Sequence, residues 1–320
     1  MENKKYKLLM FLSVSVITVL VFAACSGVRR DVTVTIGINK WPPCDVWYVS
    51  EKLHEPSKEG IKLKLVRYPT WRSNVESFYE GNTDIAHSSY FNLVYYCDKG
   101  VKGYLGIAAD RVLGADGLVL SSNILDIADL KGKKIGVEVG TDEYFLLYRI
   151  LKNHSLSLKD VMLVSIHSSE GVKYFRSKKV DAVVTYEPYL AEASKYGRLA
   201  ETTFAYPDIL QDVLVFSDRI AMDKRLSAKI KKVWYGTINW IFENRENFLE
   251  ACAVMAAEEK EDINEYYKFF SQFYFLTEQD NTKLLSAGGS AEKILNEMDS
   301  FLYNEGMKNK KCNISALIQR

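Results

Sequence analysis

The chain is poor in the residues from which most reactive centres are built. Its 320 residues include four histidines and five cysteines, and no Cys-x-x-Cys pair occurs. His54, His87, His154 and His167 stand at no spacing that would turn two imidazoles toward one ion. The pattern argues against a zinc site or a metalloenzyme, and no metal or cofactor is expected. A basic stripe is also missing. Forty-two Lys and Arg stand against 41 Asp and Glu, for a formal net charge of +1, which argues against nucleic acid as a partner. Low-complexity tracts and fixed-period repeats are absent too. What remains is a globular body with enough apolar residues for one large domain or two medium ones. Its partner is expected to be a small molecule or another protein.

The one long apolar run is at the N-terminus. "LLMFLSVSVITVLVFAA" follows the basic "MENKKYK" and closes on "FAAC", the layout of an export signal. The cysteine at the cleavage point resembles a bacterial lipobox, with Phe22 where Leu is usual. This run of 17 residues falls short of the roughly 20 that span a bilayer. The expectation is a signal peptide over 1–24, acylation of Cys25, and a tether over 25–31. The body would sit lipid-anchored in the periplasm or on the outer face of the cytoplasmic membrane. Cys44, Cys97, Cys252 and Cys312 remain; they allow three pairings, and the reading favours buried thiols over a disulfide.

Beyond the tether, "VTVTIGIN" and "KLKLVRYP" alternate like strands, and "GYLGIAAD", "DGLVLSS", "KKIGVEV", "VMLVSI", "VDAVVTYEP" and "DVLVFS" also read as strands. Helical stretches separate most of them, as in βαβ units with a parallel sheet. From Ser227 onward the pattern is helical. Two α/β units and a helical tail imply an α/β fold of two lobes, with a crevice at the carboxyl ends of the strands.

Several stretches carry a family likeness: "ADLKGKKIGVEVGTDEYFLLYRIL", "LSLKDVMLVSI" and "KKVDAVVTYEPYL", with weaker support from "TWRSNVESFYEGNTDIA" and "ADRVLGADGLV". Their order resembles that of the substrate-binding lipoproteins of ABC importers, in the nitrate, taurine, aliphatic-sulfonate and thiamine-precursor group. The resemblance implies a periplasmic-binding-protein-like (type II) fold with a ligand cleft between its lobes. Lobe 1 would hold 32–115 plus 218–320, and lobe 2 would hold 116–217. It also implies a monomer that captures a small polar molecule (a sulfonate, a nitrate-like anion or a thiamine-precursor-like heterocycle) and delivers it to a permease and ATPase, with no turnover. The alternatives are an enzyme on the same fold, like pyrimidine synthase or chorismate dehydratase, and a surface adhesion or signalling lipoprotein.

Ligand contacts in such a fold come from loops at strand ends. Trp41 in "NKWPPCD" offers a stacking face or plugs the core, and Asp45 contacts ligand or caps the next helix, the commoner use. Trp71, in what reads as a loop, and Asn74, near the start of the helix that follows, come after the second strand. Ser88 ends the third, Asp116 stands at the crossing "GADG", and Glu187 ends "VVTYE" as a hook for an amine or amidine. Tyr186 reads as packing. Gly140-Thr141 opens a helix whose free N–H groups face the crevice, with Thr141 as its cap. Asp142, Glu143 and Glu187 crowd that lobe with negative charge, which favours a neutral or cationic heterocycle over a small anion.

Overall fold

A computed structural model describes residues 31–99 and 102–319. In the first sheet β1 (Val32–Ile38) pairs in parallel with β2 (Ile61–Arg67) and with β3 (Ile85–Ser89). β10 (Gln211–Phe216) lies between β3 and β4 (Tyr104–Arg111), antiparallel to both. The short β11 (Tyr274–Phe275) closes the edge on β4. The second sheet holds β5 (Asp116–Leu120), β6 (Lys134–Val137), β7 (Met162–Ser165), β8 (Ala182–Tyr186) and β9 (Arg198–Thr202), in the order β7-β6-β8-β5-β9. Here β6, β7 and β8 are parallel, and β5 runs against both its neighbours. Two strands were not visible in the sequence. β9 is a half-exposed edge with no clear alternation, and β11 has only two residues.

The chain passes between the sheets twice, through 112–115 and 203–210. The two passages are bonded together: Val112 N donates to Leu210 O at 3.3 Å, and Gly114 N to the fully buried Thr203 Oγ1 at 2.8 Å. The second passage lies upstream of where the sequence suggested. Residues 211–216, placed above in lobe 2, form β10 of the first sheet. All six are buried because strands flank both sides, so their apolar run marks a central strand.

Helix α1 (Pro42–Lys52) and the tail helices at Lys224–Glu243, Arg245–Glu259 and Ile263–Phe270 cover the first sheet over one apolar core. Trp47 lies 5.2 Å from Trp234 and donates to His87 Nε2 at 2.9 Å. Burial drives the His87 pKa down to about 3, so that ring is a neutral acceptor inside the core. The tail is not confined to the first sheet. Phe301, on the helix Ser290–Asn304, packs against Tyr144, Phe145 and Tyr148 at 4.7–5.3 Å between ring centres. Those three belong to the helix Asp142–Asn153 of the second unit, where Arg149 and Lys152 also bond Glu297. No helix among the described residues is long and apolar enough to cross a membrane. Cys25 and residues 1–30 lie outside the described residues.

The preference for four free thiols is corrected in part. Cys97 and Cys312 form a disulfide across 215 residues of chain, while Cys44 and Cys252 are buried thiols. The cysteines meet because the C-terminal segment folds back over the end of the helix Tyr90–Tyr96. Beside the bridge the buried Lys308 ammonium bonds Asp299, the pairing a buried charge requires. A bridge closing so long a loop restricts the unfolded chain strongly, and its loss is expected to cost about 2–4 kcal/mol. Thermal unfolding with and without reductant checks this. The Cys97→Ser variant should already melt at the lower temperature and respond no further to reductant.

Candidate ligand cleft

The seam between the sheets opens into a cavity of about 910 Å³, within the range of small-molecule sites. In the first unit the ends of the parallel strands supply its wall, as doubly wound sheets do. β1 delivers Trp41 and the start of α1, and β2 delivers Trp71. The two antiparallel strands supply the floor by their beginnings. β10 enters the cleft with Gln211 and Asp212, and β5 enters with Asp116 opposite Tyr186 at the end of β8. The helix Asp142–Asn153 points its first turn at the same space.

Six of the eight residues singled out from the sequence line the cavity: Trp41, Asp45, Trp71, Asp116, Thr141 and Glu187. Trp41 lines the cavity and also packs against the apolar core of the first unit. Its ring packs edge-on against Phe269 and Phe273 at 5.8 and 5.1 Å, and its Nε1 donates to Asp212 at 2.6 Å. Asp45 is not a cap. Pro42 opens α1 and Trp41 holds the cap position, so Asp45 sits inside the first turn, 1% exposed, accepting from Tyr266 at 2.7 Å with Arg67 at 3.9 Å. Trp71 is not in a loop, because Thr70 and Ser73 form a reciprocal cap that starts a helix at Trp71.

Thr141 holds the cap position but its hydroxyl donates back to Glu138 O at 2.7 Å, and no side-chain cap bond forms. Gly140 makes that turn at φ +92°, a conformation side chains disfavour. Glu187 forms no ion pair among the described residues. It lines the cavity while its Oε2 accepts from Ala191 N at 3.1 Å, holding the start of the helix Tyr189–Ser194. Tyr186, read as packing, lines the cavity, because β8 stops there and the chain turns.

Asn74 and Ser88 are not among the lining residues. Asn74 is fully buried and braces the cleft from behind, donating to Asn39 Oδ1 at 3.1 Å and His87 O at 3.3 Å. It comes so close to β1 that a Cβ on Gly37 would lie 2.2 Å from its Oδ1. Ser88 is buried within β3, between β1 and β10. Its neighbour Ser89 reaches the seam, donating to Asp142 Oδ2 at 2.7 Å across it. Arg72 and Glu138 form a second crossing at 3.6 Å.

Charge is the site's main feature. Ten acidic side chains line the cavity against Lys40, Arg72 and His167. Several acids have partners: Glu259 bonds Arg67, Glu261 pairs with Lys40, and Glu138 pairs with Arg72. Asp116, Asp142, Glu143 and Asp212 have no basic partner within 4 Å among the described residues, and three of them are 6–7% exposed. Burial, and for Asp116 and Asp142 also the repulsion of neighbouring acids, pushes the carboxyls upward. Asp142 reaches about 8 and Asp212 about 7, and Asp116 rises well above the carboxylate range. Ser89 and Trp41 pull the other way on Asp142 and Asp212 by hydrogen bonding.

Comparison with known proteins adds the family. Residues 29–256 match the model of the NMT1-like family, more than half of the chain. The chain belongs to the NMT1-like family. A Bacillus subtilis (strain 168) family relative named for aliphatic sulfonate binding is 31% identical over 144 residues, 44% of this chain and 43% of that one. The chain thus aligns with less than half the length of that curated relative. The fold is shared more widely. The periplasmic aliphatic sulphonate binding protein SsuA of Escherichia coli superposes with a TM-score of 0.73 at 15% identity, covering 90% of this chain and 97% of its own. The nitrate-binding protein NrtA of Synechocystis PCC 6803 gives 0.61 at 14%, covering 89% and 84%. The fold is therefore that of the periplasmic binding proteins.

The raised carboxyls carry a pH signature. Each favours its neutral form in the folded chain, so its contribution to stability is complete below about pH 4 and is lost as pH rises through the folded value, near 8 for Asp142. Ligand-free protein should lose melting temperature between pH 5 and 8. Asp142→Asn should flatten that slope and melt higher than the parent at pH 8, as read by scanning calorimetry across the range.

Proposed function

We propose that the chain is the solute-binding component of an ABC importer, held outside the cytoplasm by a lipid on Cys25. It takes one small molecule between two lobes, 32–115 plus 211–319 and 116–210, and presents the closed form to a permease. The observation that carries this reading is the cavity's construction. Its lining comes from both sheets, and contacts such as Ser89–Asp142 and Arg72–Glu138 join side chains across the seam. A rotation about the paired passages 112–115 and 203–210 would open or close that seam as a hinge does. The names of the family relatives and fold neighbours, binding proteins for sulfonates and nitrate, agree with capture rather than conversion.

Trp41, Trp71, Asp116 and Glu187 are the proposed contacts, with Thr141 shaping the helix start beside them. Native mass spectrometry of residues 26–320 should release one discrete small molecule on unfolding. Small-angle scattering should show the radius shrink when it rebinds, and the molecule should return chemically unaltered. Trp41→Ala is expected to weaken binding by about 2 kcal/mol, roughly thirtyfold in Kd. Recovery of an altered molecule would sink the carrier reading, and undiminished affinity in Trp41→Ala would sink this site.

A further inference from the structure

The family relatives and fold neighbours named above bind anions, and the cleft of this chain is built against them. Asp116 is more than nine-tenths buried, lines the cavity, and its carboxyl has no hydrogen-bond or ion-pair partner among the described residues. Asp142 spends one oxygen on Ser89 and leaves the other unpartnered, while Asp212 spends one on Trp41. These three and Glu143 come from three elements, the starts of β5 and β10 and the first turn of the helix Asp142–Asn153, and Asp116 and Asp142 both feel the charge of Glu143 and Asp212. Beside them Gln211, 1% exposed and lining the cavity, gives its carbonyl to Tyr90 and keeps its amide nitrogen without a partner.

We propose that the ligand is an organic cation, with its protonated nitrogen held among Asp116, Asp142 and Asp212 where the lobes meet. The inference rests on reading the cleft as a solute site. Like charges crowded out of water need protons or a cation between them, and the cavity is large enough for the cation to carry a body. That body is planar and aromatic, because Trp41, Trp71 and Tyr186 line the same space and aromatic faces attract both rings and cations. Gln211 adds a donor for a ring nitrogen or carbonyl oxygen on the ligand. A bare metal ion fits poorly. Among the described residues, the group of His, Cys, Asp and Glu ligand atoms gathered within 4.8 Å is Cys97, Asp299 and Cys312, which lies outside the cleft and includes the disulfide. An anion would face four carboxyls with Arg72 and Lys40 already engaged by Glu138 and Glu261.

The test uses probes matched in shape and graded in charge. Benzamidine and 2-phenylethylamine are the cations, benzamide is neutral, and benzenesulfonate is the anion, with calcium and zinc chlorides measured separately. Isothermal titration at pH 7.5 should show saturable binding of the cations and none of the sulfonate. Asp116→Asn should lower cation affinity at least tenfold, while melting no lower than the parent when empty, because it removes a repelling charge without leaving one unpaired. That second readout separates loss of binding from loss of folding. Binding of benzenesulfonate, or of a metal ion alone, would overturn the cation assignment and leave the carrier reading standing. Cation binding unchanged in Asp116→Asn would overturn the placement. No binding by any probe, with no molecule released on unfolding, would overturn both readings.

Discussion

Two strands that run against their neighbours set the geometry of the whole molecule. β5 and β10 each follow a passage between the sheets, and each enters its sheet backwards. That reversal lets the chain leave the first unit, complete the second and return without a crossover helix. It also brings the first residues of both strands to the edge where the parallel strands end. Asp116 and Asp212 therefore meet across the seam although 96 positions separate them in the chain. The bonds between the passages, through Val112, Leu210, Gly114 and Thr203, tie the two reversals together.

The acidic floor follows from that geometry and carries a cost. Buried carboxyls facing one another destabilise the empty molecule, and the protein offsets this with single neutral donors, Ser89 to Asp142 and Trp41 to Asp212. Elsewhere in the same cavity it uses full cations, as Arg67 does for Glu259. Neutral donors on the floor and cations toward the rim leave a gradient of potential pointing inward. Such functional sites commonly sacrifice stability that a well-paired core would keep.

Much of the frame was legible in the sequence. The alternation in β1 and β2, the strand-like runs that follow, the helical tail and the joint order of the family-like stretches pointed to the right fold, and Trp41 and Asp116 were picked out by their places at a strand end and a crossing. The failures share a physical origin. Reading sites from the carboxyl ends of strands holds for parallel strands, so Gln211 and Asp212, at the start of an antiparallel one, escaped notice. Ser88 was singled out at the end of its strand while Ser89 makes the bond to Asp142, because period-two alternation leaves open which face meets the cleft. Trp71 looked like a loop residue because the Thr70–Ser73 cap was not recognised. Pairing of Cys97 with Cys312 depends on how the tail folds back, which no local pattern encodes.

Phe301 gives the tail a mechanical meaning. Its ring is wedged among Tyr144, Phe145 and Tyr148, while the segment just beyond it is stitched to Cys97. The same short stretch of chain thus grips both units, and its Met307 lies among the residues that line the cavity. A rotation of one unit about the other would have to move those rings against Phe301, so the tail couples the two units mechanically as well as covering the first sheet.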